Sequence, residues 1–317
     1  MPPAPPPLDI TYTLPSIAPC EHIAGSEKFA RKAMEIQLKH LRPNGRSFVD
    51  ITLDLEDGAP IGQELSLRET FISILESEEN QLKQIGVRVH ATTSPHFESD
   101  IESIVSRAGN SVSYITIPKI TSLRDVRWVS GLIQTYLSRI GSARTIPLHL
   151  LIETPEAFSA LREIAAHPAV ESLDFGIMDY ISHHGGAIPS TAMRSPEQFT
   201  HPLIQRAKCE LANAALAHNK VPNHNVSVDV KNPEQAYLDA YKARHEFGFL
   251  RMWSIHPDQI PHIIKGMTPT TQELDEAKAI IAAAQAAQWG PIERGGRLHD
   301  RASFRYYWGL LSQNTSL

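Results

Sequence analysis

Short apolar runs rich in β-branched residues alternate with longer stretches of helical period along most of this chain. The first run covers residues 10–14 and stops at Pro15. A helical stretch follows over residues 26–41 and breaks at Pro43-Asn44-Gly45. Further runs fall at residues 47–55, 86–90, 114–118, 148–153, 173–176, 225–230 and 252–255. Between them the spacing predicts helices over residues 65–84, 99–108, 123–140, 155–166, 203–218 and 233–247, and Pro257 opens another turn. Strand–helix alternation implies parallel strands joined by crossover helices, and eight such units predict an α/β chain closed as a (β/α)8 TIM barrel. An open doubly wound sheet is the competing topology, but no GxGxxG follows the first run. Residues 182–200 form a long irregular stretch rich in His, Gly, Pro and Ser, a length that usually marks a functional or mobile loop.

Outside the alternating region the pattern changes. Residues 1–9 read as a disordered proline-rich tail, residues 10–267 as the barrel, and residues 268–317 as a helical extension. Thr270 and Glu273 have capping-box spacing and open an Ala-rich helix that Gly290-Pro291 closes. The arginines and aromatics beyond it suit a lid or an oligomer contact as well as a helix packed on its own barrel.

Composition narrows the classes. The 317 residues carry a net charge of −5, which argues against a general nucleic-acid binder. The two cysteines, Cys20 and Cys209, give neither a disulfide framework nor a zinc motif. No apolar run approaches the roughly 18 residues of a transmembrane helix, and the N-terminus lacks the features of a signal peptide. The expectation is a cytoplasmic enzyme with a small-molecule substrate and neither membrane nor nucleic acid as partner.

In a barrel of this type the chemistry sits at the C-terminal strand ends. The predicted strands exit into Asp54-Leu55-Glu56-Asp57, Arg88 with His90, Lys119, Glu153, Asp179, Asp229 and His256. A rim so rich in acid needs a proton or a cation to neutralise it. Glu153 and Asp179, from adjacent strand ends, suit Mg²⁺, which keeps several waters and takes its remaining ligands from substrate oxygens. Arg88 has the fork to grip a substrate carboxylate. His183-His184-Gly185-Gly186 reads as a loop over the barrel mouth.

Six segments in order resemble the aldolase/citrate lyase family, which includes the citrate lyase beta subunit and malyl-CoA lyase. They are Phe48 to Ala59 (the "DLED" segment), Val87-Arg88-Val89, Ile117-Pro118-Lys119, Ile152-Glu153-Thr154, Phe175 to Tyr180, and Ile255 to Ile260 with its "IHPxQI" pattern. The resemblance spans about residues 14–283. It implies a Mg²⁺-dependent carbon–carbon lyase of the aldol or Claisen type acting on a small 3-hydroxy acid or its coenzyme A thioester. It also implies a homo-oligomer, trimeric or hexameric. The family's metal ligands fall on Glu153 and Asp179, its substrate-binding arginine on Arg88, and its acidic pair, catalytic in role, on Glu56 and Asp57. Glu153 thereby also borders the substrate. The chain departs from the pattern in four places. No arginine precedes the first run, His90 replaces an asparagine, Pro155-Glu156 replaces a small residue and arginine, and Arg251-Met252 replaces Gly-Lys. A thioesterase on the same scaffold and a non-catalytic binder of 2-oxo acids are the alternative readings.

Overall fold

The computed structural model describes residues 14–315, which divide into two compact units, Ile17–Met267 and the remainder. In the larger unit, eight parallel strands close into a barrel in sequence order, β1-β2-β3-β4-β5-β6-β7-β8, with β1 also pairing β8. The strands are β1 (Cys20–Ala24), β2 (Val49–Asp54), β3 (Ile85–Arg88), β4 (Ile115–Ile117), β5 (Leu148–Ile152), β6 (Val170–Phe175), β7 (Val221–His224) and β8 (Arg251–Ser254). Between and after them run α1 (Glu27–Lys39), α2 (Glu64–Glu76), α3 (Phe97–Ala108), α4 (Leu123–Arg139), α5 (Pro155–Ser159), α6 (Leu161–Ala165), α7 (Ile177–Ser182), α8 (Pro202–Ala217), α9 (Pro233–Phe247) and α10 (Gln259–Met267). The helices are started by local chemistry. Ser26 caps α1, a full capping box at Ser122 and Asp125 opens α4, and Thr154 caps α5 just ahead of Pro155. Among the described residues, no helix is long and apolar enough to cross a membrane.

Two strands lie elsewhere than the apolar pattern predicts. The run at residues 10–14 falls outside the described residues except for Leu14, which is irregular; the first strand is Cys20–Ala24. Glu21 and His22 hide it, because charged and polar residues there are fully enclosed rather than exposed. The seventh strand is Val221-Pro222-Asn223-His224, and residues 225–229 carry no regular structure. Val226 and Val228 mimic strand alternation, while Pro222 argues against a strand. Asp229 is therefore an exposed loop residue and leaves the rim of strand exits.

The cause of both misplacements is the barrel interior. TIM barrels are usually filled with branched aliphatic side chains. Here a group of buried polar residues makes a network instead. Arg251, with no solvent exposure, reaches Glu21 Oε2 through Nε at 3.0 Å and Asp50 Oδ2 through Nη1 at 2.6 Å. Asn223 Nδ2 donates to Glu21 Oε2 at 2.6 Å, and the Thr52 hydroxyl donates to Glu21 Oε1. Asp50 also accepts from the Ala18 N–H at 3.0 Å and from Gln84 Nε2 at 2.8 Å. This cluster spans the β8–β1–β2 seam where the barrel closes. The aliphatic core lies outside it, between strands and helices, with Val49, Ile51 and Leu53 of β2 facing that layer.

The smaller unit contains α11 (Thr271–Ala286), an antiparallel hairpin of β9 (Ile292–Arg294) and β10 (Arg297–His299), and α12 (Arg301–Thr315). The Thr270–Glu273 capping box forms, with Glu273 N–H donating to Thr270 Oγ1 at 3.2 Å and Thr270 N–H to Glu273 Oε2 at 2.7 Å. The hairpin was not expected; Gly295 and Gly296, both at positive φ, make its turn. Its core is Ile280, Ile281, Ala284 and Phe304.

Removing one member of a buried ion-pair network leaves an uncompensated charge. Arg251→Ala is expected to destabilise the protein by roughly 3–5 kcal/mol, read as a lowered midpoint in urea unfolding. A midpoint unchanged from the parent would show that the seam does not depend on the guanidinium.

Candidate active site

The strand exits of β2 to β6 bring the expected residues to one end of the barrel. Asp54 and Arg88, the last residues of β2 and β3, are register partners. Glu56 and Asp57 follow β2, Lys119 follows β4, Glu153 follows β5, and Asp179 lies in the first turn of α7 after β6.

Asp54 grips Arg88 in a two-point fork, accepting from Nε at 2.7 Å and from Nη2 at 2.6 Å. Burial opposes ionisation of Asp54, but Arg88 overrides it and holds the carboxyl below the usual carboxylate range. Asp54 is itself fixed from behind. Its Oδ2 accepts the Gly58 N–H at 2.9 Å, and a Cβ on Gly58 would lie 2.2 Å from that oxygen. Arg88 Nη1 faces Glu56 Oε2 at 3.2 Å, and the guanidinium carbon lies 5.7 Å from the Trp253 ring centroid. A guanidinium has five N–H donors. Two are donated to Asp54, and Glu56 pairs with the guanidinium by charge alone, which leaves three N–H groups outside the fork. The sequence does not reveal this lock, although Asp54 lies only two positions before Glu56. Trp253, buried at the β8 end, was missed as well.

Lys119 ties the two acidic groups together. Its backbone sits in the left-handed region, φ 53°, which few non-glycine residues adopt. The turn aims its N–H at Glu153 Oε1, 2.8 Å away. Its ammonium bonds Glu56 Oε1 and lies 3.3 Å from Asp57 Oδ2. Burial works against that ammonium, yet Glu56, Asp57 and Asp179 keep it firmly protonated. The Glu56 carboxyl is pushed up by burial, against the pull of Arg88 and Lys119.

Glu153 is 2% exposed, and its other oxygen packs on the β6 exit, where a Cβ on Gly176 would come within 2.1 Å of Oε2. Burial, then the Asp179 charge, push the Glu153 carboxyl up to about 8. Two carboxylates from neighbouring strand ends are thus near enough for the charge of Asp179 to oppose ionisation of Glu153. Their all-oxygen donor set, half-open through the partly exposed Asp179, fits a hard divalent cation.

Other expected residues lie apart. His90 is bound to α3: its N–H and ring Nδ1 meet Asp100 Oδ2 at 3.2 and 2.5 Å, and Arg68 holds the same carboxylate at 3.0 Å. His256 is a half-buried residue beyond β8, 3.7 Å from Asp258. His183 and His184 end α7 and bond backbone carbonyls one turn back. Cys209 is exposed and Cys20 buried.

In the absence of metal, a carboxyl lifted in the fold makes stability depend on pH. Unfolded Glu153 loses its proton near 4.5, whereas the folded residue keeps it to about 8. The folded state thus binds more protons across that window, and stability falls as pH rises through it. Thermal melts of EDTA-treated protein from pH 5 to 8.5 are expected to show this decline, and Glu153→Gln to flatten it. An equally steep decline in the variant would assign the effect elsewhere.

A model of the HpcH/HpaI aldolase/citrate lyase family matches residues 47–257. L-malyl-CoA/beta-methylmalyl-CoA lyase of Cereibacter sphaeroides is 24% identical over 269 residues, 80% of this chain and 84% of the relative. A crystal structure of a citrate lyase from Burkholderia xenovorans LB400 is 44% identical and superposes with a TM-score of 0.87, covering 96% of this chain and 93% of that one. The protein CitE of Mycobacterium tuberculosis, solved with magnesium, acetoacetate and coenzyme A, shares the fold at 21% identity, with a TM-score of 0.73 and 95% and 99% of the two chains covered. With the match extending from β2 through the end of β8, this chain belongs to the HpcH/HpaI aldolase/citrate lyase family.

Proposed function

We propose that this protein is a Mg²⁺-dependent carbon–carbon lyase that cleaves a small 3-hydroxy acid, or its coenzyme A thioester, by an aldol or Claisen-type reaction. The observation that carries the reading is the gathering of Glu153, fixed by the Lys119 N–H, with Glu56, Lys119 and Arg88 at the barrel mouth, where the charge of Asp179 also acts on Glu153. Relatives named as malyl-CoA lyases, and CitE with magnesium and coenzyme A, support the substrate class and the ion.

Glu153 and Asp179 would hold the Mg²⁺, whose chemistry is to polarise a substrate carbonyl and stabilise the enolate that cleavage creates. The free donors of Arg88 bind a substrate carboxylate or carbonyl oxygen. Asp54 keeps that guanidinium from turning, so little orientation is lost on binding. Lys119 holds Glu56 and Asp57 at the edge of the site and fixes Glu153 through its N–H. Glu56 and Asp57 act catalytically by keeping the mouth negative and orienting water. The protein works as a cytoplasmic homo-oligomer, a trimer or hexamer, which light scattering can count.

The test is incubation with Mg²⁺ and a panel of malyl-CoA, citramalyl-CoA, hydroxy-acyl-CoA and free hydroxy acids. Release of a 2-oxo acid and an acyl product is expected. Glu153→Gln and Asp179→Asn should each lower kcat at least 100-fold, roughly the loss of one transition-state charge contact. They should also abolish the rise in Tm that Mg²⁺ gives the parent. Free coenzyme A without carbon–carbon cleavage would instead identify a thioesterase. Ligand-dependent stabilisation with no turnover would identify a binding protein.

A further inference from the structure

Below the mouth, the interior holds a second group of ligand-type side chains that the lyase reading does not use. Glu21 of β1, His149 of β5 and Asp174 of β6 each offer one ligand atom, and the three atoms lie within 4.8 Å of one another. All three residues are buried to within 1% exposure.

Each is braced by other groups. His149 Nε2 faces Glu171 Oε2 at 3.0 Å, and the Tyr114 ring stacks on the imidazole with centroids 3.9 Å apart. Asp174 Oδ1 accepts from Ser172 Oγ at 2.5 Å. Glu21 is held by Thr52, Asn223 and Arg251. What remains is one free atom on each of two ligands: His149 Nδ1 and Asp174 Oδ2 are both buried and without a hydrogen-bond partner. Asn223 Oδ1 and Thr116 Oγ1 are also unpartnered, and these residues are the cross-strand neighbours of Asp174 and His149. Buried polar atoms are almost always satisfied, so this concentration of orphans marks a missing occupant.

Charge points the same way. Glu21 and Asp50 share one fully enclosed guanidinium, that of Arg251. Asp174 has no cation among its hydrogen-bond partners: Ser172 holds Oδ1, and Oδ2 is unpartnered.

We infer that Glu21, His149 and Asp174 form a buried site for a first-row divalent transition ion, distinct from the Glu153–Asp179 pair. One imidazole nitrogen with two carboxylates suits Zn²⁺, Co²⁺ or Mn²⁺ better than Mg²⁺. With Nε2–H donated to Glu171, the imidazole presents Nδ1 as a lone-pair donor, the carboxylate–histidine support seen around protein-bound metals. β1 lies across the barrel from β5. The ion therefore ties opposite staves together beneath the strand ends that carry Glu153 and Gly176. Its role is structural, and it touches no substrate.

Because the site is closed, the ion enters during folding, and the test uses protein grown with, or refolded in, Zn²⁺, Mn²⁺ or Co²⁺. After dialysis against EDTA, elemental analysis is expected to find about one equivalent retained. The Glu153→Gln/Asp179→Asn double variant should keep it, which separates this site from the lyase reading. His149→Gln and Asp174→Asn should lose it and melt at lower temperature. The Co²⁺ form should show visible d–d bands and a paramagnetically shifted imidazole N–H. A parent protein that retains none of the three ions by either route overturns the inference, as does retention in a folded His149→Gln variant. Where a variant fails to fold, the shifted N–H of the Co²⁺ parent decides, and its absence is an overturning result.

Discussion

Buried carboxylates outnumber buried cations in this barrel, and much of its organisation answers that imbalance. β2 displays the arrangement most plainly. Strand alternation sends Asp50, Thr52 and Asp54 to one face and Val49, Ile51 and Leu53 to the other. The usual barrel places its branched aliphatics inside. This strand instead gives its aliphatic face to the helical layer and its acids to the partners inside. Asp50 meets Arg251 low in the barrel, and Asp54 meets Arg88 at the top. The same six residues thus close the seam and build the floor of the mouth.

A charge enclosed in this way is costly to move, and that is an advantage for a site. Arg88 cannot swing toward solvent without stranding Asp54, and Asp54 cannot turn without losing the Gly58 and Glu56 N–H groups that cradle it. Lys119 adds a cross-link of another sort, its N–H on one acidic group and its ammonium on another. The mouth is consequently set before any ligand arrives. Its remaining deficit of positive charge shows at Glu153, whose carboxyl burial and Asp179 push upward.

The strands whose exits carry motifs were legible because their apolar halves are intact: β2, β3, β5 and β6 lie where the hydrophobic runs fall. The C-terminal rim followed from fold geometry alone, and Glu56, Asp57, Arg88, Glu153 and Asp179 do converge there. β1 and β7 were not legible. Glu21, His22, Asn223 and His224 are all enclosed, the first three with partners more than 200 positions away, and hydropathy has no way to anticipate an acid matched by Arg251 some 230 positions on. The Asp54–Arg88 fork was hidden for a related reason. It depends on strand register, and register is a property of the closed barrel. Periodicity likewise missed β9 and β10, whose three-residue length gives no alternation to read.

The departures from the family pattern take on a different meaning in three dimensions. By sequence alone, Arg251-Met252 in place of Gly-Lys exchanges one basic group for another. Both side chains are in fact enclosed, Arg251 among acids and Met252 in the aliphatic layer. Neither offers charge to a ligand. His90, in place of asparagine, is tied to Asp100 and Arg68, and Glu156 is exposed at the start of α5. Arg251 is better understood together with Glu21: an acid inside β1 is tolerable only beside a buried cation, and β8 supplies it. The interior tier of Glu21, Asp50 and Arg251 and the upper tier of Asp54, Arg88, Lys119 and Glu153 are each closed by their own buried ion pairs and hydrogen bonds. Two cations stand at the mouth, Arg88 in the fork of Asp54 and Lys119 between Glu56 and Asp57.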